Sequence, residues 1–348
     1  MPDEVISLSL KPAKGRGKAM DRRMRRELAN SLHYLNTKFE NHSSDPDAAF
    51  YHQIPALEDL IGLLHQDTRV SPAVFGSYYA LVFDMMNESD TGVIHKKLQQ
   101  LLDNVRTVSN ITVRNLSIED IGSEELLSLY RKCFDTDSDV QYGFLPPSPE
   151  NSQIAKRVIN DAFELMKHVV PDLYDEITGI LSEILLASTP EDGTAAFFSG
   201  ASSYQLWGAM VLNADMERSV IDMLGTLIHE STHNLLFGLT VQEPLVLNGG
   251  DERYKSPLRE DPRPMDGIFH ATFVSARMYY AMQRLFKSPL LSPAQKQECE
   301  SNLGLLKNAF YDGYAVVSAY AEYSETGREV MQNAYEFMQE IAPSTAVA

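Results

Sequence analysis

Apolar residues recur at helical spacing along most of the chain. Met24, Leu28, Leu32 and Leu35 fall on one face of a 3.6-residue repeat, which predicts a helix over about 21–39. Similar patterns predict helices at about 55–66, 72–87, 93–105, 122–133 and 150–187. Residues 107–114, TVSNITVR, alternate and are β-branched, so a strand is expected there. The polar stretches 41–49 and 188–194 read as loops. From Ala195 to Asp215 the texture changes to that of a hairpin or two short strands, with WGAMVLN at 207–213 the stronger strand. A long helix follows from about Met216 to Phe237, with Asp215 as its N-cap and Gly238 as its terminator. Residues 239–266 form a long, charged loop carrying Pro and Gly, and loops of that length inside a domain are commonly functional. Helices resume at about 267–287, 294–323 and 325–341. The class expected is α+β: mainly α with a small β-sheet.

Composition narrows the setting. With 30 Lys+Arg against 48 Asp+Glu, the net charge of −18 argues against general nucleic-acid binding. Cys133 and Cys299 are the only cysteines, which excludes a disulfide framework and a thiolate zinc site. The apolar runs are too short for a membrane helix, and the N-terminal residues lack the apolar region of a secretory signal. A cytoplasmic location is expected. Charge is unevenly spread: Lys11, Lys14, Arg16, Lys18, Arg22, Arg23, Arg25 and Arg26 crowd one short stretch. That stretch reads as a solvated, flexible arm running into a charged helix, or more sharply as a docking arm for an acidic partner or peptide.

One motif carries chemistry. His229-Glu230-Ser231-Thr232-His233 sits in the middle of the long helix, in MLGTLIHESTHNLLFGL. Residues four apart share a helix face, so both imidazoles can meet one ion, with Glu230 beside them to hold a water or orient a ligand. A third ligand is needed. Leu236 and Leu239 occupy the positions where metzincins carry Gly and His, so that subclass is excluded. No acid occurs between Asp266 and Glu298, which removes the glutamate that a gluzincin would place on the next helix. That helix has one histidine, His270, the best third ligand. Three imidazoles suit iron(II) or zinc(II).

Arginines cluster around these positions. Arg277 lies two helical turns after His270 on the same face, where a guanidinium could clamp the far carboxylate of a small dicarboxylic acid bound to the metal. The loop adds Arg253, Arg259 and Arg263 in ERYKSPLREDPRP. Leu227, Ile228, Phe269 and Phe273 flank the ligands and fit either a dry wall or plain helix-packing core.

Taken together, LIHESTHNLLFGL, YKSPLREDPRPMDGIFHATFV and the SPLR-to-HATFV spacing resemble a family of HExxH-motif proteins. That family is found with the biosynthesis of ribosomally synthesised, post-translationally modified peptides. The resemblance covers residues 195–290 and none of the first 150. It implies an iron(II)- and 2-oxoglutarate-dependent dioxygenase that uses O2 to β-hydroxylate a residue of a precursor peptide. It implies metal ligation by His229, His233 and His270, and co-substrate binding by Arg259, Arg263 or Arg277, with Glu230 orienting a water or a ligand. The fold implied is zincin-like, with the HExxH helix packed beside a short sheet. The organisation expected is a helical N-terminal region, 1–150, whose basic arm at 11–26 docks peptide, and a metal-binding catalytic region, 151–348.

Two other readings use the same residues. A zinc metallopeptidase would take Glu230 as general base for a zinc-activated water, though it lacks the downstream glutamate ligand. A non-catalytic peptide-binding protein would keep the motif as structure alone.

Overall fold

A computed structural model describes residues 5–42, 50, 52–135, 142–190, 195–256 and 261–343. The chain is mainly α, with two small sheets among the described residues. Its elements are α1 (Arg16–His42), α2 (Ile54–Leu64), β1 (Arg69–Val70), α3 (Pro72–Met86), α4 (Thr91–Asp103), β2 (Thr107–Val108), β3 (Thr112–Asn115), α5 (Ile118–Ile121), α6 (Glu124–Phe134), α7 (Pro149–Val169), α8 (Pro171–Ile180), β4 (Glu183–Ala187), β5 (Gly200–Ser202), β6 (Ala209–Asn213), α9 (Val220–Leu239), α10 (Met265–Lys287), α11 (Pro293–Tyr320) and α12 (Glu325–Ile341). Among the described residues no helix is long and apolar enough to cross a membrane.

The chain does not divide at residue 150. It forms two compact units, each assembled from separated segments: a sheet unit of 18–156 and 178–217, and a histidine unit of 1–17, 157–177 and 218–348.

In the sheet unit, four strands take the order β3-β4-β6-β5. β3, β4 and β6 run parallel, with Ile184 opposite both Val113 and Met210; β5 is antiparallel to β6. The two central strands, EILLA and AMVLN, are buried at every position. Such unbroken apolar runs belong to strands covered on both faces. This accounts for β4, which falls inside the helix expected over 150–187: without alternation, a short apolar run has no period that separates strand from helix. The strand expected at 107–114 is two, β2 and β3, in different sheets. Tyr130, Phe134, Phe144, Leu185, Phe198 and Val211 build the core, with the Phe144 and Phe198 rings edge to face. Glu183 is buried there, accepting from the Tyr130 hydroxyl and pairing with Arg114.

In the histidine unit, α10 packs along α11 and against α9 and α12. The start of α12 comes against residue 245, where a Cβ on Gly327 would stand 1.8 Å from the Leu245 carbonyl oxygen. Residues 5–15 are fastened rather than loose: Leu10 is buried, Gly15 N–H donates to Asp175 at 2.7 Å, and Asn333 donates to the Leu8 carbonyl at 3.3 Å. The reading of 11–26 as a solvated arm is therefore corrected. Arg16 is buried against Glu176, and Arg25 is buried with Asp21 at 2.9 Å while also donating to the Leu64 carbonyl. Two cations of the run are internal, where ion pairs and carbonyl acceptors replace lost hydration.

Candidate metal centre

Helix α9 begins later than expected. Ser219, not Asp215, caps it by accepting from Asp222 N–H at 3.0 Å, and the helix continues through Gly238 to Leu239. Its buried polar residues satisfy themselves on the preceding turn: Thr232 Oγ1 donates to the Ile228 carbonyl at 2.6 Å, and Asn234 donates to that of Glu230 at 3.2 Å. This back-bonding lets a polar HExxH turn sit in an apolar helix. Helix α10 starts directly after the charged loop, with Pro264 before its first turn, and brings His270 to α9.

The three histidines meet in a row with His233 in the middle. Its Nε2 lies 3.2 Å from His229 Nε2, and its Nδ1 lies 3.1 Å from His270 Nδ1. The first distance is close to the ~3.4 Å that two nitrogens span on a tetrahedral ion with ~2.1 Å bonds. The second engages the opposite nitrogen of the same ring. The arrangement is thus a pair plus one: among the described residues no three His, Cys, Asp or Glu side chains form a ready metal-holding group. For one ion to take all three, the His270 ring would have to turn toward the His229 side of His233. The donors fit a metal in kind. Burial pushes His229 down to about 4, and burial with the neighbouring His229 and His270 holds His233 well below the ordinary histidine value. Neutral imidazoles are the form that offers a lone pair.

Two neighbours were not singled out from sequence. Phe237 lies roughly parallel to His233 with centroids 6.3 Å apart, and tilted against His270 at 5.5 Å. It is four residues after His233, so the same helical spacing that pairs the histidines points to it. Asp266 Oδ1 lies 3.7 Å from His270 Nε2, one turn earlier on α10, where a carboxylate can hold the ring's outer nitrogen. Leu227, Ile228, Phe269 and Phe273 are fully buried.

The other predicted residues do not all converge. Glu230 is buried on α9; burial holds the Arg218 guanidinium below the ordinary arginine value, and the charges of Asp222 and then Glu230 offset that only in part. Arg263 is partly buried, pairs with Asp261 at 2.7 Å, and exchanges two backbone hydrogen bonds with Tyr254 that close the loop just before α10. Arg259 lies outside the described residues. Arg277 is corrected: it is buried, paired with Glu176, and donates to the Leu10 carbonyl at 2.7 Å. Arg16 shares the same carboxylate, so Glu176 is held between two guanidiniums. Arg277 is a structural cation of this unit, not an open clamp. The four-stranded sheet lies in the other unit, and α9 packs mainly against α10 and more lightly against α11.

No protein-family model matches the chain, and no curated protein does either.

Proposed function

We propose that this protein is an iron(II)- and 2-oxoglutarate-dependent dioxygenase that β-hydroxylates a residue of a ribosomally made precursor peptide. The observation that supports it is the meeting of three imidazoles from α9 and α10, two of them kept neutral by burial, at the helix that directly follows an arginine-bearing loop. His229 and His233 would hold the metal, with His270 turning in as the third donor. Iron(II) with 2-oxoglutarate and O2, when bound, supplies the oxidation of an unactivated C–H bond.

The chain's own residues do the rest. Phe237 would shield one side of the His233 and His270 rings. Asp266 would orient His270 once its carboxylate closes the 3.7 Å to Nε2. Arg263 can exchange Asp261 for the far carboxylate of the co-substrate, a bidentate partner of the same kind. Arg277 has no part in that binding. Glu230, under the influence of Arg218, serves as a positioning charge on α9 rather than a peptidase base.

Anaerobic addition of iron(II) and then 2-oxoglutarate tests the reading. A weak visible charge-transfer band, from chelation at an open iron site, is expected. No band in protein isolated with tightly held zinc would replace the proposal with the zinc metallopeptidase. No band and no metal uptake would replace it with a non-catalytic peptide-binding protein.

A further inference from the structure

The sheet unit contains a cavity of about 760 Å³ that the metal centre does not use. It is built where α3 packs against both α4 and α6. Each helix contributes one stripe at three- and four-residue spacing: Gly76, Tyr79 and Phe83 from α3; Lys96, Gln100 and Asp103 from α4; Glu125, Leu129 and Lys132 from α6. The floor is close-packed. A Cβ on Gly76 would stand 2.9 Å from Leu206 Cδ2 and 3.6 Å from Leu129 Cδ2. The cavity is therefore a space between helices, not a gap in the core beneath them.

Two features define what fits. First, the apolar surface runs out of the cavity along α3. Phe83 lines it yet is 64% exposed, and Met86, one turn on, is 79% exposed. A small molecule would leave that continuation uncovered, whereas a peptide covers it. Second, the lining charges are unequally satisfied. Asp103 accepts from Gln99 at 2.9 Å, Asp84 accepts from Ser89 at 3.4 Å, and Glu125 sits in the first turn of α6, where the helix dipole favours a carboxylate. Lys96, Lys97 and Lys132 line the same space, and among the described residues no carboxylate lies within ion-pair distance of any of them. The lining carries as many of these acids as lysines, and it is the three ammoniums, with no carboxylate in reach among the described residues, that are open to carboxylates from outside.

We propose that this groove binds an acidic peptide segment with an apolar face, lying over α3, α4 and α6 with its carboxylates on Lys96, Lys97 and Lys132. The groove, rather than the basic stretch at 11–26, is then the peptide-docking surface. The proposal extends the peptide-hydroxylase reading by giving the substrate a recognition segment, but the groove and its lysines stand without the metal.

The test uses metal-free full-length protein and two fluorescein-labelled amphipathic peptides, one with Leu on one face and Glu on the other, and its Lys-for-Glu counterpart. Fluorescence anisotropy should show the acidic probe binding roughly ten-fold or more tightly than the basic one, with affinity falling as salt rises. Lys96→Glu/Lys97→Glu/Lys132→Glu, at exposed and half-buried positions, should keep its melting temperature and lose at least roughly ten-fold in affinity. Phe83→Asp should weaken the same probe through the apolar side. Equal binding of the two probes, no binding of the acidic probe, or an unchanged triple variant would overturn the proposal. The iron(II) and 2-oxoglutarate band, read on the triple variant, reports on the metal centre separately: it should match the wild type whichever way the peptide result falls.

Discussion

Replacing Glu176 by Gln tests whether Arg277 is a structural cation. The carboxylate is 1% exposed, and its partners Arg16 and Arg277 are 4% and 3% exposed. Glutamine keeps the shape but leaves two buried guanidiniums with no counter-charge. Removing one partner of a buried ion pair costs about 3–5 kcal/mol, because the other is left charged and dry. For a domain of this size each kcal/mol moves the midpoint by about 2–4 °C, so the histidine unit should melt roughly 10 °C lower by calorimetry. Arg16→Met/Glu176→Leu/Arg277→Met, which removes all three charges together, should recover most of that loss. The pH dependence has a definite sign. Burial pushes the Glu176 carboxyl up, but Arg277 and Arg16 outweigh it and hold it below the ordinary glutamate value. A carboxylate with a depressed folded-state pKa contributes fully above its unfolded value, ~4.3, and loses that contribution as pH falls through the folded value. The gap between wild type and Glu176→Gln should therefore be constant above about pH 5 and close only in more acidic solution. A variant that melts within about 1 °C of wild type at neutral pH, where one unpaired buried charge alone should cost several degrees, would refute this account and return Arg277 to the ligand-binding candidates.

Other expectations follow from single contacts. His270→Ala should reduce bound metal at least roughly ten-fold by elemental analysis, as ligand loss does elsewhere; one equivalent retained would assign the third donor to another residue. Gly327→Ala forces a Cβ to 1.8 Å from the Leu245 oxygen, so α12 must shift, and denaturant unfolding should show a loss of about 2 kcal/mol or more. Arg263→Ala, at a partly exposed pair, should change stability by no more than about 0.5 kcal/mol while raising the 2-oxoglutarate requirement roughly ten-fold in a succinate-release assay; unchanged requirement would remove Arg263 from the co-substrate site.

What could be read ahead of the structure was what has a local period. The helices at 325–341, 267–287 and 72–87 appear within two residues of expectation, and the hairpin between Ala195 and Asp215 is the antiparallel pair β5 and β6. The convergence of His229 and His233 follows from i, i+4 spacing alone, and the placement of His270 from elimination among few histidines. Long-range pairing left no such trace. Arg277 looked available because its counter-charge, Glu176, lies 101 residues earlier, and nothing in the text of either segment announces the other. Arg16 and Arg25 read as solvated because a run of cations normally is; their burial depends on acceptors such as the Leu64 carbonyl that the fold alone brings near. The strand β4 was hidden by its own burial, and the expected start of α9 is too early because it rests on Asp215 as the cap, four residues before the observed Ser219.

The hydrogen bond from Arg277 to the Leu10 carbonyl joins residues 267 positions apart. The helix that the Leu10 segment fastens to is therefore made long after it. During synthesis, residues 5–15 meet their first partners, Asp175 and Glu176, before the last segment of the sheet unit, Thr178–Glu217, is produced, but not yet those on α10. The histidine unit cannot complete until α10 has emerged to receive them. The helices that carry the three histidines thus complete their unit late in synthesis, and the buried Arg16, Glu176 and Arg277 cluster closes only once α10 has emerged. Neither unit corresponds to a contiguous stretch of the gene, so a clone cut at residue 150 would yield two incomplete folds instead of two domains.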